Sequence, residues 1–217
     1  MSHAKCQKRI KKSATALTAK GARLIDHRRF TAALRYLNQA LKLEPDNSRA
    51  PRFRGLVYRE RRQFNRAKRD LIQAVNLNPD SSANHLFLGV FLVDRFASRW
   101  GLYHLEQALT LTADRYDGTE NCAHLARLYA YHQLEEDIPA RAVCRELLKV
   151  DPREPCHHCL HNWLTLRISC HAALQTDSQT RHLLAQPTFS GQCGDWPGLF
   201  CHFDAWRLIS VYVIPQT

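Results

Sequence analysis

Apolar and polar positions follow one another along this chain with a helical period, and the same period is written more than once. Residues 28–47 read RRFTAALRYLNQALKLEPDN, and residues 62–81 read RQFNRAKRDLIQAVNLNPDS. Phe30 answers Phe64, Ala33 answers Ala67, Leu37 answers Leu71, Ala40 answers Ala74 and Pro45 answers Pro79, each 34 residues on. Three registers extend into a further copy: Gly21, Gly55 and Gly89; Leu37, Leu71 and Leu105; Ala40, Ala74 and Ala108, all at the same 34-residue step. The Ala, Leu and Ala of each copy fall at steps of four and three, which is one face of a helix. Ahead of them stands a Gly followed three residues later by Tyr or Leu, on a second helix. The small Gly admits a neighbouring helix at close range. Pro45 and Pro79 end the units, because proline has no amide hydrogen and cannot continue a helix. The pattern predicts paired helices joined by tight turns.

A 34-residue unit with the pattern W-x2-L-G-x2-Y, then A-x3-F, then P, resembles the tetratricopeptide repeat. The resemblance covers residues 14–115, in units of about 14–47, 48–81 and 82–115. The second unit matches best, through Gly55, Tyr58, Phe64, Ala67, Leu71, Ala74 and Pro79. The third departs, with Gly101 in place of the helix-B Ala, Ser98 in place of Phe and Ala113 in place of Pro. A fourth unit is expected over 119–154, with Leu125, Ala126 and Tyr129 in its first helix and Ala140, Leu147 and Pro152 in its second. Residues 155–175 are expected to form a capping helix, because the last repeat of an array has an apolar face to cover. Residues 1–13 read as a basic lead-in, and 176–217 as an irregular tail in which the 34-residue register is lost. The fold expected is all-α: a right-handed α-solenoid of about four such units, a capping helix and an irregular C-terminal tail.

Composition agrees and adds a charge asymmetry. The chain has 217 residues, 45% of them hydrophobic, with only 8 Gly and 9 Pro. That is enough to bury a core without disulfides, and it has few helix breakers. Residues 1–80 hold 20 Lys and Arg against 6 Asp and Glu, a net charge of +14; residues 81–217 hold 11 against 14, a net of −3. A basic first third points to an acidic protein segment, a nucleic acid or an anionic surface as partner. The 8 cysteines are scattered and no apolar signal stretch precedes them, so reduced thiols and a cytoplasmic location are expected. Lys8 to Lys12 also matches a nuclear import patch, and the first 25 residues, free of acid, share the composition of a mitochondrial transit peptide. Leu17, Gly21 and Leu24 argue against the latter, since they already belong to the first repeat. No apolar run approaches membrane-spanning length, so no membrane insertion is expected.

Candidate chemistry is sparse. Cys156 and Cys159, with His157, His158 and His161, make half of a zinc site, but no second pair follows at ligand spacing. Cys170 and His171 are adjacent, and Cys193, Cys201 and His202 fix no spacing, so no metal and no cofactor are expected. The chain has no G-x-S-x-G, no P-loop and no G-x-G-x-x-G, and Cys144 falls on the buried register of a helix. No catalytic residues are assigned, and no enzyme is expected.

The resemblance implies a binding surface. In tetratricopeptide arrays, positions 2, 5, 9 and 12 of helix A line a concave groove that takes ligands. In the second unit these are Arg49, Arg52, Leu56 and Arg59; in the third, Ala83, Leu86, Val90 and Val93. On a helix each set falls within an arc of about 80°. Arginine forks beside apolar side chains suit a partner peptide that carries carboxylates next to hydrophobic anchors. The function expected is a protein-interaction scaffold, the alternative being RNA or another polyanion bound by the basic N-terminal third. The first 80 residues have few aromatics to stack bases, and Phe30, Tyr58 and Phe64 are committed to packing, which favours protein. Clamps for chaperone tails resemble one another in a Lys and an Asn of the first unit, where this chain has Thr18 and Ala22, which argues against that ligand.

Overall fold

Paired helices make up the architecture. The computed structural model describes residues 3–112 and 119–150, which form eight helices and no strand among them. They are α1 (His3–Asp26), α2 (Phe30–Leu43), α3 (Arg49–Glu60), α4 (Phe64–Leu77), α5 (Ser82–Asp94), α6 (Ser98–Thr112), α7 (Thr119–Gln133) and α8 (Asp137–Val150). Each odd-numbered helix A packs on the even-numbered helix B that follows it, and each helix B packs on the next helix A. The A helices also touch one another, α1 with α3, α3 with α5 and α5 with α7. The result is a two-layer helical solenoid, with an A layer and a B layer. Helix α1 begins at His3, well ahead of the expected start near residue 14. The stretch before 14 contains no Gly or Pro, and nothing in it stops a helix.

Glycine sets the spacing of the two layers. A Cβ built on Gly21 would lie 2.8 Å from Leu37 Cγ, on Gly55 2.9 Å from Leu71 Cγ, and on Gly89 2.8 Å from Leu105 Cγ. The three leucines are fully buried. Each leucine fills the notch left by the missing side chain of its own helix A, so the two registers read from the sequence are two sides of one contact.

The turn between A and B is the same in all four pairs. Arg28, Arg62, Phe96 and Glu135 adopt left-handed φ values of 55°, 57°, 58° and 57°. The next amide donates back to the end of helix A: Arg29 N to Leu24 O, Gln63 N to Tyr58 O, Ala97 N to Leu92 O and Glu136 N to Tyr131 O, at 2.8–2.9 Å. This is the Schellman closure of a helix C-terminus, made here by non-glycine residues. Residues after the helix-B prolines cap the next helix A. Asn47 Oδ1 accepts from Arg49 N at 3.1 Å and Ala50 N at 3.2 Å, and the equivalent Ser81 accepts from Asn84 N.

The turns also correct the register of the fourth pair. Seven residues before the left-handed residue lie Gly21, Gly55, Gly89 and then Leu128; nine after it lie Leu37, Leu71, Leu105 and then Cys144. The position matching Gly is therefore Leu128, and the Tyr match is Tyr131, not Ala126 and Tyr129. Large and small are exchanged across the interface, and Leu128 joins Ala140, Val143, Cys144 and Leu147 in a separate core cluster. The exchange removed the glycine that would have marked the register. The expected capping helix at 155–175, the tail at 176–217 and the Cys156–Cys159 cluster lie outside the described residues.

Candidate functional site

The stripe on α3 divides into two halves. Arg52 and Arg59 turn along the A layer towards α5. Arg52 Nη1 donates to Asn84 Oδ1 at 3.1 Å, and Arg59 Nη2 donates to Asp94 Oδ2 at 2.7 Å, with its Nη1 on Glu60 at 2.8 Å. Arg49, which is exposed, and Leu56, which is buried, occupy the other half. The same division recurs one repeat on. Leu86 and Val93 take the places of Arg52 and Arg59, and both are buried, as is Val90 in the place of Leu56. Val93 also meets helix α6, where its Cγ2 would lie 2.5 Å from a Cβ on Gly101. Positions 5 and 12 thus serve packing between helices as well as the stripe.

Arg52 has the most unusual surroundings of any cation in the stripe. It is only 7% exposed, and its guanidinium lies 5.1 Å from the Phe53 ring and 5.4 Å from the Phe87 ring. Its Nε is buried without a hydrogen-bond partner. Burial, and then the nearby charge of Arg49, push its pKa down to about 10. No carboxylate among the described residues pairs with it. Arg54, on the opposite side of α3, shows the contrast. Its Nε and Nη2 donate to the two oxygens of Asp70 at 2.6 and 2.9 Å, and its Nη1 to Asn38 at 2.9 Å. Burial works against the Arg54 charge, but the Asp70 carboxylate outweighs it and the pKa is raised.

Asn84 completes the Arg52 pocket and holds it in place. Its Nδ2 donates to Ala74 O at 2.8 Å and Asn78 O at 3.1 Å, at the C-terminal end of α4. The side chain is 1% exposed, and all of its polar atoms are used. Asn84 therefore joins α4, α5 and the Arg52 fork. Neither Asn84 nor Asp94 is visible as a partner in the sequence. The only signal is a polar residue at a helix-A position where its neighbours are apolar.

Two thiols of the helical array are closed off. Cys122 and Cys144 are buried, and burial pushes both thiols up to about 12. Among the described residues no three His, Cys, Asp or Glu side chains come together as a metal site. No described helix is long and apolar enough to cross a membrane.

No family model matches the chain. No curated protein matches it either. Solved structures do. The chain resembles PilF of Pseudomonas aeruginosa with a TM-score of 0.68 at 16% identity, over 94% of this chain and 86% of that one. It resembles YrrB, described as a TPR protein with an unusual peptide-binding site, with a TM-score of 0.58 at 16% identity, over 85% and 89% of the two chains. The chain has the tetratricopeptide-repeat fold. It also resembles an O-GlcNAc transferase of Thermobaculum terrenum, with a TM-score of 0.58 at 25% identity over 65% of this chain. It spans only 26% of the length of that transferase. Within the tetratricopeptide frame, the two clamp positions of the first unit are closed: Thr18 is buried and its hydroxyl donates to Ala14 O at 2.9 Å, and Ala22 is buried.

Proposed function

We propose that this chain is a non-enzymatic scaffold that holds a segment of a partner protein on the A layer of its second and third repeats. A carboxylate of the segment pairs with Arg52, entering past the exposed Arg49, while Leu56 and Val90, both buried, back the stripe from the core. The observation that carries this reading is the buried Arg52 fork. A buried cation is expensive unless an anion accompanies it. Here Asn84 and two aromatic rings orient the fork, and Asp70 is already spent on Arg54. The tetratricopeptide fold supports the scaffold reading at a coarser level, and the peptide-binding site named for YrrB belongs to a neighbour of the same fold.

Selection from a random peptide library displayed on phage tests the reading. The wild-type chain is expected to enrich peptides with Asp or Glu beside an aromatic or aliphatic residue. Arg52→Gln, checked for folding by its melting curve, is expected to lose the acidic preference and to bind the selected peptides about tenfold or more weakly. Enrichment without acidic residues, or the same peptides from both proteins, would reject it.

A further inference from the structure

The edge of the solenoid formed by the A–B turns carries a second surface, independent of Arg52. Its first two turns present Arg28 and Arg29, then Arg61 and Arg62, all exposed. None of the four has an ion pair among the described residues, in contrast with Arg54 and Arg59. Adjacent turns lie side by side. Arg28, Arg29, Phe30 and Arg61 line one open recess of about 400 Å³. One repeat on, the Arg95 guanidinium lies 4.1 Å over the Phe64 ring, repeating the Phe30 and Arg61 positions.

The third turn changes character in an informative way. At the place of Arg28 and Arg62 stands Phe96, 81% exposed and with φ 58°. A large aromatic residue is poorly suited to that backbone conformation. Trp100, one helical turn further along α6, is 71% exposed. Neither ring serves the core. The fourth turn is acidic, with Glu135 exposed and Glu136 paired to Arg99 at 2.9 Å, and it ends the basic edge.

The cations of these turns are all arginine, although the chain has lysine elsewhere. Arginine presents a planar fork that matches phosphate oxygens two at a time. The forks recur at the repeat spacing, which suits a polymer with regularly spaced charge better than a single anion. Two exposed rings beside them supply flat faces on which unpaired bases stack. Helices α2 and α4 also start at this edge with no acid in their first turns, an arrangement that leaves the positive end of each helix dipole uncompensated unless an anion is present.

We propose that the A–B turn edge of the first three repeats binds single-stranded nucleic acid, with Arg28, Arg61 and Arg62 on phosphates and Phe96 and Trp100 under bases. The full-length chain is titrated into a fluorescein-labelled oligouridylate of about 20 nucleotides, and anisotropy is read over a range of salt concentrations. The edge variant Arg28→Gln/Arg61→Gln/Arg62→Gln is compared with Lys42→Gln/Lys68→Gln/Arg69→Gln, which removes the same charge from exposed positions on helices B. The edge variant is expected to bind about tenfold or more weakly, with a salt slope shallower by about 2, while the control loses less than about threefold. Phe96→Gly relieves the left-handed turn, so folding is not at risk, and it is expected to weaken binding several-fold without changing the slope. Failure of the wild-type chain to bind the oligonucleotide overturns the proposal. So do equal losses in the edge and control variants, or unchanged binding by Phe96→Gly. Edge-dependent binding to phosphatidylserine vesicles without binding to the oligonucleotide also overturns it.

Discussion

Gly55 shows how a single missing methyl group sets the distance between two helices. Leu71 Cγ lies 2.9 Å from where its Cβ would stand, and Ala67 O lies 3.3 Å away. Neither neighbour has room to retreat, since Leu71 and Ala67 are fully buried. Alanine at this position gains about 1 kcal/mol of helix propensity, which offsets part of the clash. Valine adds two methyl groups and gains little. Gly55→Val is therefore expected to destabilise the fold by about 3 kcal/mol, measured by chemical denaturation. A change below about 0.5 kcal/mol would mean that the layers are not in contact there. This contact was legible in the sequence, because Gly55 and Leu71 each recur at the repeat step. The Arg54–Asp70 ion pair was not, since the residues equivalent to Asp70 in the neighbouring repeats are Tyr36 and His104.

At the level of elements, α5 and α6 form a heavily buried pair, and they carry two histidines between them. His85 Nδ1 lies 3.1 Å from His104 Nδ1, and His85 Nε2 lies 3.0 Å from Pro79 O. Tyr103 packs edge-on against the His104 ring. Burial, then the neighbouring His85, push the His104 pKa down to about 4 from an ordinary 6.5, and burial lowers that of His85 in spite of Pro79 O. Above about pH 6.5 both folded and unfolded chains hold these rings neutral. Between 6.5 and about 4 the unfolded chain takes up a proton that the folded chain resists, so stability falls as the pH falls. The loss from His104 is expected to be about 1–3 kcal/mol over that window. Melting curves across it should fall steeply for the wild-type chain and less so for His104→Gln; equal falls would place the acid sensitivity elsewhere.

Elements are also where the sequence becomes hard to read. Helix existence follows from apolar spacing and the prolines. The left-handed turns do not, because the structure puts Arg62 and Phe96 where glycine is the usual sign. The fourth pair keeps Ala140 in place, but it has Leu128 where the others have glycine, Cys144 where they have leucine and Leu147 where they have alanine, and the pattern of its first helix lies two residues out of step with the expectation. Asn84 and Asp94 leave no mark in the pattern, because pairing between successive A helices depends on how the repeats stack, and a single repeat contains no record of that.

For the whole molecule, the charge asymmetry acquires a geometry. The basic first third is not uniformly solvated. Arg54 and Arg59 are spent on carboxylates, the turn edge presents arginines without ion pairs among the described residues, and Arg52 is buried beside Asn84. A solenoid presents a layer face and an edge at once, so the proposed protein site and the proposed nucleic-acid site fall on different surfaces. The protein site is the central claim, and a double-mutant cycle tests it most directly. A peptide selected by the wild-type chain and its Asp→Asn analogue are each titrated calorimetrically into wild-type and Arg52→Gln proteins of confirmed fold. If the peptide carboxylate meets the Arg52 fork, the two changes are coupled by about 1.5 kcal/mol or more, and the coupling persists at high salt. Additive losses, with no coupling beyond about 0.3 kcal/mol, would contradict the account.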